Sequence, residues 1–115
     1  MRVLPALFLV AFAVSAHAAK YDCTTSCLFV ADVYPSTGPV PASCKLYSSG
    51  ALKASAAAVT VSGGVQCQIR TTFAQGSYSV TMSAVDSAGL ETAQSVPFAF
   101  DSAATLPPPV NVHIQ

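Results

Sequence analysis

The sequence predicts an all-β protein that folds as a two-sheet antiparallel sandwich. After residue 18 the chain is rich in valine, threonine, serine and aromatic residues, and turn-forming residues recur about every ten positions. Residues 77–86 alternate between apolar and hydroxyl side chains, as in a strand with one face in the core. No segment combines a 3.6-residue apolar period with helix caps. Several half-buried strands need a second sheet to cover their apolar faces, which favours a sandwich.

The first half of the domain contains two predicted strands and one ambiguous segment. Residues 27–33 (CLFVADV) and 43–47 (SCKLY) have strand-like composition. Between them, residues 34–41 contain three prolines and are expected to form a loop, because proline cannot donate to a central ladder. Residues 51–59 are rich in alanine, which permits a helical turn, but a short connecting strand fits better between two strand-like segments.

The second half contains four predicted strands, at residues 59–62, 65–71, 77–86 and about 92–100. Gly63 and Gly64 join the first two, since glycine adopts the positive φ of a tight hairpin without steric cost. The residues predicted to face the core are Tyr78, Val80, Met82 and Ala84 in the longest strand, Val65, Cys67 and Ile69 before it, and Val96, Phe98 and Phe100 after it.

The N-terminus has the pattern of a cleavable secretory signal. Arg2 provides the positive charge, residues 3–16 are apolar, and residues 16–18 (Ala-His-Ala) place small side chains where signal peptidase cuts. A transmembrane anchor needs roughly 20 apolar residues, more than this run supplies. The sequence therefore predicts cleavage after Ala18 or Ala19. The expected organisation is a signal peptide over 1–18, one domain over 19–104 and a proline-rich tail over 105–115.

Charge excludes two classes of partner. Lysine and arginine together equal aspartate and glutamate in number, and no basic cluster occurs in the chain. Nucleic-acid binding depends on a positive surface that displaces counterions, and anionic membranes attract polybasic segments. We therefore expect no nucleic-acid partner, and no membrane association once the signal is removed.

The cysteines indicate disulfides in an oxidising compartment. Cys23, Cys27, Cys44 and Cys67 form an even set in a chain that is predicted to be exported. Three pairings are open, and the sequence favours Cys44–Cys67 between facing strands with Cys23–Cys27 at the N-terminus. Reduced or differently paired cysteines are the alternative. Zinc is disfavoured, because no second close pair accompanies the first one.

Residues 73–95 resemble the end of a fibronectin type III or bacterial immunoglobulin-like module. The motif positions are Phe73, Gly76, Tyr78, Val80, Ala84, Asp86, Gly89, Glu91 and Ser95, and residues 44–54 (CKLYSSGALKA) resemble the middle hairpin of such modules. The match covers about residues 43–100. It implies that Tyr78 packs its ring inside and that its hydroxyl bonds to backbone upstream, as a structural corner.

Both ends of the chain depart from this family pattern. The N-terminus has YDCTTSC where the family has a proline-led first strand. Residues 106–115 (LPPPVNVHIQ) instead resemble the first strand of a following module. Three possibilities stay open for this tail: it pairs with its own sheet, pairs with a neighbour's sheet, or frays.

No constellation of catalytic residues occurs in the sequence. The only histidine after the signal is His113, in the tail, and Asp86 and Glu91 flank a turn. We therefore expect no enzyme activity, no cofactor and no metal. Exposed aromatic residues that stack on sugars remain, and Tyr34 and Tyr47 are the candidate ligand contacts.

The sequence predicts a secreted, periplasmic or extracellular interaction or structural module, with an adhesive role as one form. The alternatives are a soluble carbohydrate- or ligand-binding protein, and a subunit of a surface or phage-like assembly. A protein or glycan partner outside the cytoplasm suits the first two classes. Self-association through the C-terminal tail suits the third class.

Overall fold

The computed structural model describes residues 18–115, and every regular element in that range is a β-strand. The predicted signal peptide, apart from its last residue, lies outside the described residues. The strands are β1 (Ala19–Tyr21), β2 (Cys27–Val30), β3 (Tyr34–Pro35), β4 (Ser43–Ser48), β5 (Ala51–Ala57), β6 (Val59–Val61), β7 (Gly64–Gln66), β8 (Gln68–Thr71), β9 (Gly76–Val85) and β10 (Phe98–Ser102). The prediction of an all-β fold is confirmed.

One layer is a five-stranded sheet in the order β1-β10-β9-β4-β5. The long strand β9 pairs antiparallel with β4 on one side and with β10 on the other. β1 adds to the outer edge of β10 in the parallel direction, and it covers only Phe100–Ser102. The first residues of β10 therefore have no partner strand at that edge among the described residues.

The other layer is built from β2 paired with β8 and from a second group in the order β3-β7-β6. Only Cys67 separates β7 from β8, so these two strands form one course of the chain. β3 follows β2 after three residues and pairs with β7 at Gly64. A Cβ at Gly64 would overlap the Tyr34 carbonyl, so this close approach of two backbones requires glycine.

The two layers share one apolar core. Its buried members are Cys23, Cys44, Leu46, Cys67, Ile69, Phe73, Val80, Ala84 and Phe100. The ring of Phe100 in the first layer lies 5.5 Å from that of Phe29 in the second and 5.2 Å from that of Phe73. Such aromatic contacts add to the free energy of burial by about 0.5–1.5 kcal/mol each.

Both disulfides that the sequence favours are present. Cys44 of β4 is bonded to Cys67 with a Cα–Cα distance of 5.7 Å, and this bridge joins the two layers through the core. Cys23 is bonded to Cys27, where the chain enters β2. The faces predicted for these cysteines agree with their burial, because Cys44 and Cys67 both point inward.

The predicted strand over residues 92–100 is wrong in its first part. Only Phe98–Ser102 forms a strand, and residues 92–97 run beside β9 without a regular ladder. Val96 is 84% exposed and Phe98 is 45% exposed, whereas Phe100 is 1% exposed. Only the last of these three side chains is buried as the alternation predicts. Phe98 lines an open groove, which leaves it partly exposed although it shares a face with Phe100.

Two smaller differences concern the first half of the chain, and the strand favoured for residues 51–59 is confirmed. The strand predicted over 27–33 ends at Val30, and the loop predicted over 34–41 begins with the two-residue strand β3. The ambiguous segment 51–59 is mostly strand, since β5 covers Ala51–Ala57 at the edge of the larger sheet. Pro35 is tolerated in β3 because β3 lies at an edge.

Candidate functional site

An open apolar groove separates the two layers along one side of the molecule. Its volume is about 780 Å³, and it runs between the edge strand β2 and residues 92–98. The floor is formed by the inward side chains of β4 and β9, among them Leu46, Val80 and Met82. Phe29 stands on the β2 side and Phe98 stands on the opposite side. The groove is therefore a continuation of the core that the two sheets leave uncovered.

The irregular segment 92–97 produces one wall of this groove. The Thr92 N–H donates to the Ala84 carbonyl over 2.9 Å, and the Thr92 hydroxyl accepts from the Ala84 N–H over 3.1 Å. Ser95 makes the same two kinds of bond to Met82, at 2.9 and 3.0 Å. Side-chain hydroxyls thus replace backbone acceptors of the ladder. Three residues lead from Ser95 to Phe98 where two lead from Met82 to Val80 on β9, so the two chains are out of regular register along this wall.

The other wall ends in an unpaired backbone edge. Ala31 donates its N–H to Cys67 over 3.1 Å, which fixes the alternation along β2. Leu28 and Val30 therefore direct their N–H and C=O groups away from β8. Among the described residues no other strand pairs with β2. This edge can accept an added strand through main-chain hydrogen bonds.

The groove is almost without charge. Asp32, at the end of the β2 wall, is the only aspartate, glutamate, lysine or arginine among the described residues that line it. The other polar groups are hydroxyls, such as those of Tyr34, Thr92 and Ser95. A ligand that suits this surface is apolar along most of its length and carries a few hydrogen-bonding groups.

A polar cluster lies on the outer face of the five-stranded sheet, away from the groove. Glu91 accepts hydrogen bonds from the hydroxyls of Ser83 and Tyr47, and from Lys45 Nζ over 3.3 Å. The bond from Ser83 is the main cause that holds the pKa of Glu91 below its ordinary value, followed by the bond from Tyr47. The bond to Glu91 in turn raises the pKa of Tyr47. All four side chains are engaged with one another, so the cluster fastens residue 91 to the sheet.

The two candidate ligand contacts from the sequence lie on different faces. Tyr34 is half-buried in β3, packs against the core and lines the groove. Tyr47 belongs to the outer cluster and does not reach the groove. The structure therefore does not bring these residues into one site, and their roles as ligand contacts stay predictions.

The remaining singled-out residues have structural surroundings. The Tyr78 hydroxyl donates to the Ala74 carbonyl over 2.9 Å, which is the corner bond that the family resemblance implies. His113 lies in the exposed tail, where its Nδ1 is 2.7 Å from the Asn111 carbonyl oxygen. Within residues 18–115, no cluster of three histidine, cysteine or acidic side chains has metal-binding geometry.

Sequence reasoning missed the groove because its lining residues look like core. Phe29, Leu46 and Met82 have the same apolar character whether a neighbouring strand covers them or not. The one available signal was Pro97, which interrupts the alternation of the last predicted strand.

Among the described residues, none belongs to a helix that is long and apolar enough to span a bilayer. No protein-family model matches the chain, and no curated protein or solved structure matches it significantly.

Proposed function

We propose that this chain is an exported, non-catalytic interaction module of the immunoglobulin-like class, and that it binds its partner in the apolar groove. The open groove of about 780 Å³ carries this proposal. A protein of this size normally covers its core, and large exposed apolar surfaces usually mark interaction sites. The edge of β2 adds main-chain groups that recognise an extended peptide.

The strand order supports the assignment to the immunoglobulin-like class. In such sandwiches strands G, F and C form one sheet, to which C′ can add, and strands B, E and D lie in the other. β10, β9, β4 and β5 have the order of the first group, and β2, β8–β7 and β6 have that of the second. The bond from Tyr78 to Ala74 corresponds to the tyrosine corner. The core disulfide differs, since it joins positions C and E instead of B and F.

Export is supported by the N-terminal pattern and the two disulfides. Disulfides persist in oxidising compartments and are rare in reducing ones. β1 begins at Ala19, so cleavage after Ala18 leaves this strand complete. N-terminal sequencing of the protein recovered outside the cytoplasm should start at Ala19 or Lys20. A product that keeps Met1 and fractionates with membranes would contradict export in this form.

The binding proposal is tested by selection of displayed random peptides against the mature protein, with a glycan array in parallel. We expect extended peptides with alternating apolar residues. Ala93→Arg places a charge at an exposed position in the groove wall. This substitution should lower the affinity for the selected peptides by roughly tenfold or more. Ala99→Arg is the matched control, because Ala99 is exposed on β10 but does not line the groove.

Two results would overturn this assignment. One is equal peptide affinity for both arginine variants, which would place the binding surface elsewhere. The other is a glycan ligand whose binding depends on Tyr47, since that residue lies on the opposite face of the sheet from the groove. Such a result would favour the carbohydrate-binding class.

A further inference from the structure

We propose that the groove of one copy binds the C-terminal tail of a second copy, residues 106–115, as an added strand beside β2. This inference rests on the proposed role of the groove as the binding site. It names the partner as a second copy of this chain. Each copy then carries one groove and one tail, so copies join head to tail instead of through a self-complementary patch.

The tail has the alternating side-chain pattern of a strand, but it pairs with no sheet in the described structure. Val110, Val112 and Ile114 alternate with Asn111 and His113, which places the three apolar side chains on one face. Those three side chains are 78%, 84% and 97% exposed. Apolar side chains in such a regular arrangement are normally covered, because their burial is the main source of association free energy.

The groove and the tail match in charge and in hydrogen bonding. Residues 106–115 contain no lysine, arginine, aspartate or glutamate. Among the described residues that line the groove, Asp32 is the only one of these four types. Leu28 and Val30 direct backbone groups, which pair with no strand in the described part of the chain, toward the space that an added strand would occupy. A strand of five residues, 110–114, is about 16 Å long and is sufficient to run along the four residues of β2 and past its end.

The geometry favours a second copy over the chain's own groove. The Thr105 N–H donates to the Asp22 carboxylate over 2.8 Å, which holds the start of the tail at the end of the domain where β10 finishes. Residues 107–109 are three consecutive prolines, and such a run forms a stiff extended spacer. A spacer of this kind carries residues 110–115 away from the domain instead of reversing them into it.

The present conformation of the tail is that of an unpaired segment. Among residues 106–115 no strand forms, and Asn111 has a φ of 49°. Asparagine tolerates this left-handed conformation better than most residues do. Pairing with β2 requires Asn111 to become extended, and we expect this local change on assembly.

The test is sedimentation velocity of the mature full-length chain over a range of concentrations, with two neighbouring substitutions. Val112→Asp places a charge on the apolar face of the tail, and His113→Asp places the same charge on the opposite face. Both positions are exposed, so folding should not change. We expect the unmodified chain and His113→Asp to assemble, and Val112→Asp to associate at least roughly tenfold more weakly.

A second measurement uses the synthetic peptide LPPPVNVHIQ added to the unmodified chain. It should occupy free grooves and shorten the assemblies, while the same peptide with aspartate at the position of Val112 should not. A chain that is monomeric at every concentration would overturn the inference. Equal association of the two aspartate variants would also overturn it.

The test separates this inference from the proposed function. The unmodified chain could be monomeric and still bind the selected apolar peptides, with that binding lost in Ala93→Arg. This result would refute the tail as the partner and leave the groove as the binding site. Assembly that is insensitive to Ala93→Arg but lost in Val112→Asp would place the tail on another surface. That outcome overturns the inference about the tail, while the proposed function is still decided by the affinity of the selected peptides for Ala93→Arg and Ala99→Arg.

Discussion

The two flanks of β9 differ in how they are held, and the difference decides where the core is open. On one flank, β4 pairs with β9 over six consecutive residue pairs without a break. On the other flank, the ladder holds only from Phe98 to Ser102, and the hydroxyls of Thr92 and Ser95 complete the rest. The regular flank brings Cys44 and Leu46 into full burial. The irregular flank leaves Phe98 half exposed beside the groove.

This contrast shows that β9 keeps backbone hydrogen bonds on both flanks, although the core is closed on one side and open on the other. On the irregular flank these bonds are made at Met82 and Ala84, but only a regular ladder keeps side chains in strict alternation. Once the register shifts between Ser95 and Phe98, the next strand no longer covers the edge of the opposite layer. The groove therefore lies beside the flank of β9 whose ladder is irregular.

The largest expected difference is between two phenylalanines of β10. Phe100→Ala should destabilise the domain by about 3–5 kcal/mol, because its ring is buried among other aromatic rings. Phe98→Ala should cost about 1–2 kcal/mol, since nearly half of that side chain already contacts water. Urea denaturation of both variants measures the difference. Equal losses would mean that the groove side is closed in solution.

The second comparison concerns the two disulfides. Replacing Cys44 and Cys67 together by alanine should destabilise the domain by about 3 kcal/mol, because this bridge closes a loop with a sequence separation of 23. The pair Cys23 and Cys27 closes a much shorter loop, and its removal should cost about 2 kcal/mol. Thermal and urea denaturation of the two double variants provide the measurement. The reverse ranking would show that the N-terminal loop, not the core bridge, limits unfolding.

Much of the regular flank could be predicted from the sequence. The alternation of residues 77–86 set the faces of β9, and Val80 and Ala84 are buried as expected while Ser77 and Ser79 are exposed. The same reasoning placed Cys44 and Cys67 on inward faces of opposing strands, where they are bonded. Period-two patterns are reliable where a ladder is unbroken, since each residue then fixes the face of the next.

The irregular flank could not be predicted in the same way. Thr92 and Ser95 are residue types that are common in strands. The neighbouring sequence does not indicate that their hydroxyls bond to the β9 backbone. Ser83 was expected on the wet face, yet it is buried beneath Glu91, which lies eight residues later in the chain. Such contacts depend on the path of a loop, which tertiary packing decides. The position of Tyr34 in the groove wall depends on the path of its neighbours in the same way.

The third prediction tests the corner at the start of β9. Tyr78→Phe removes the hydroxyl that donates to the Ala74 carbonyl and keeps the ring against Phe73. We expect a loss of about 1 kcal/mol, the usual net worth of one hydrogen bond. Urea denaturation measures the loss, with Tyr34→Phe as a control at a tyrosine for which the described structure shows no side-chain hydrogen bond. If Tyr34→Phe lowered the free energy of unfolding more than Tyr78→Phe does, the corner hydrogen bond would have no special role in stabilising this end of the sheet.

The smallest effect is expected at Glu91, which fastens the irregular flank. Its pKa is lowered, chiefly by the hydrogen bond from Ser83, so its contribution to stability is complete above the ordinary value of about 4.5 and is lost as the pH falls through the lower folded value. Glu91→Gln keeps the shape but removes the charge. We expect faster amide hydrogen exchange at Thr92 and Ser95 in this variant at neutral pH, whereas the amides shared by β4 and β9 keep their protection. Acidification of the unmodified protein should lower the protection of these two amides relative to their intrinsic exchange rate, which itself slows as the pH falls, and the protection in the variant should respond less. Uniform acceleration over β4, β9 and β10 would contradict this expectation, because it would mean that the two flanks of β9 open together.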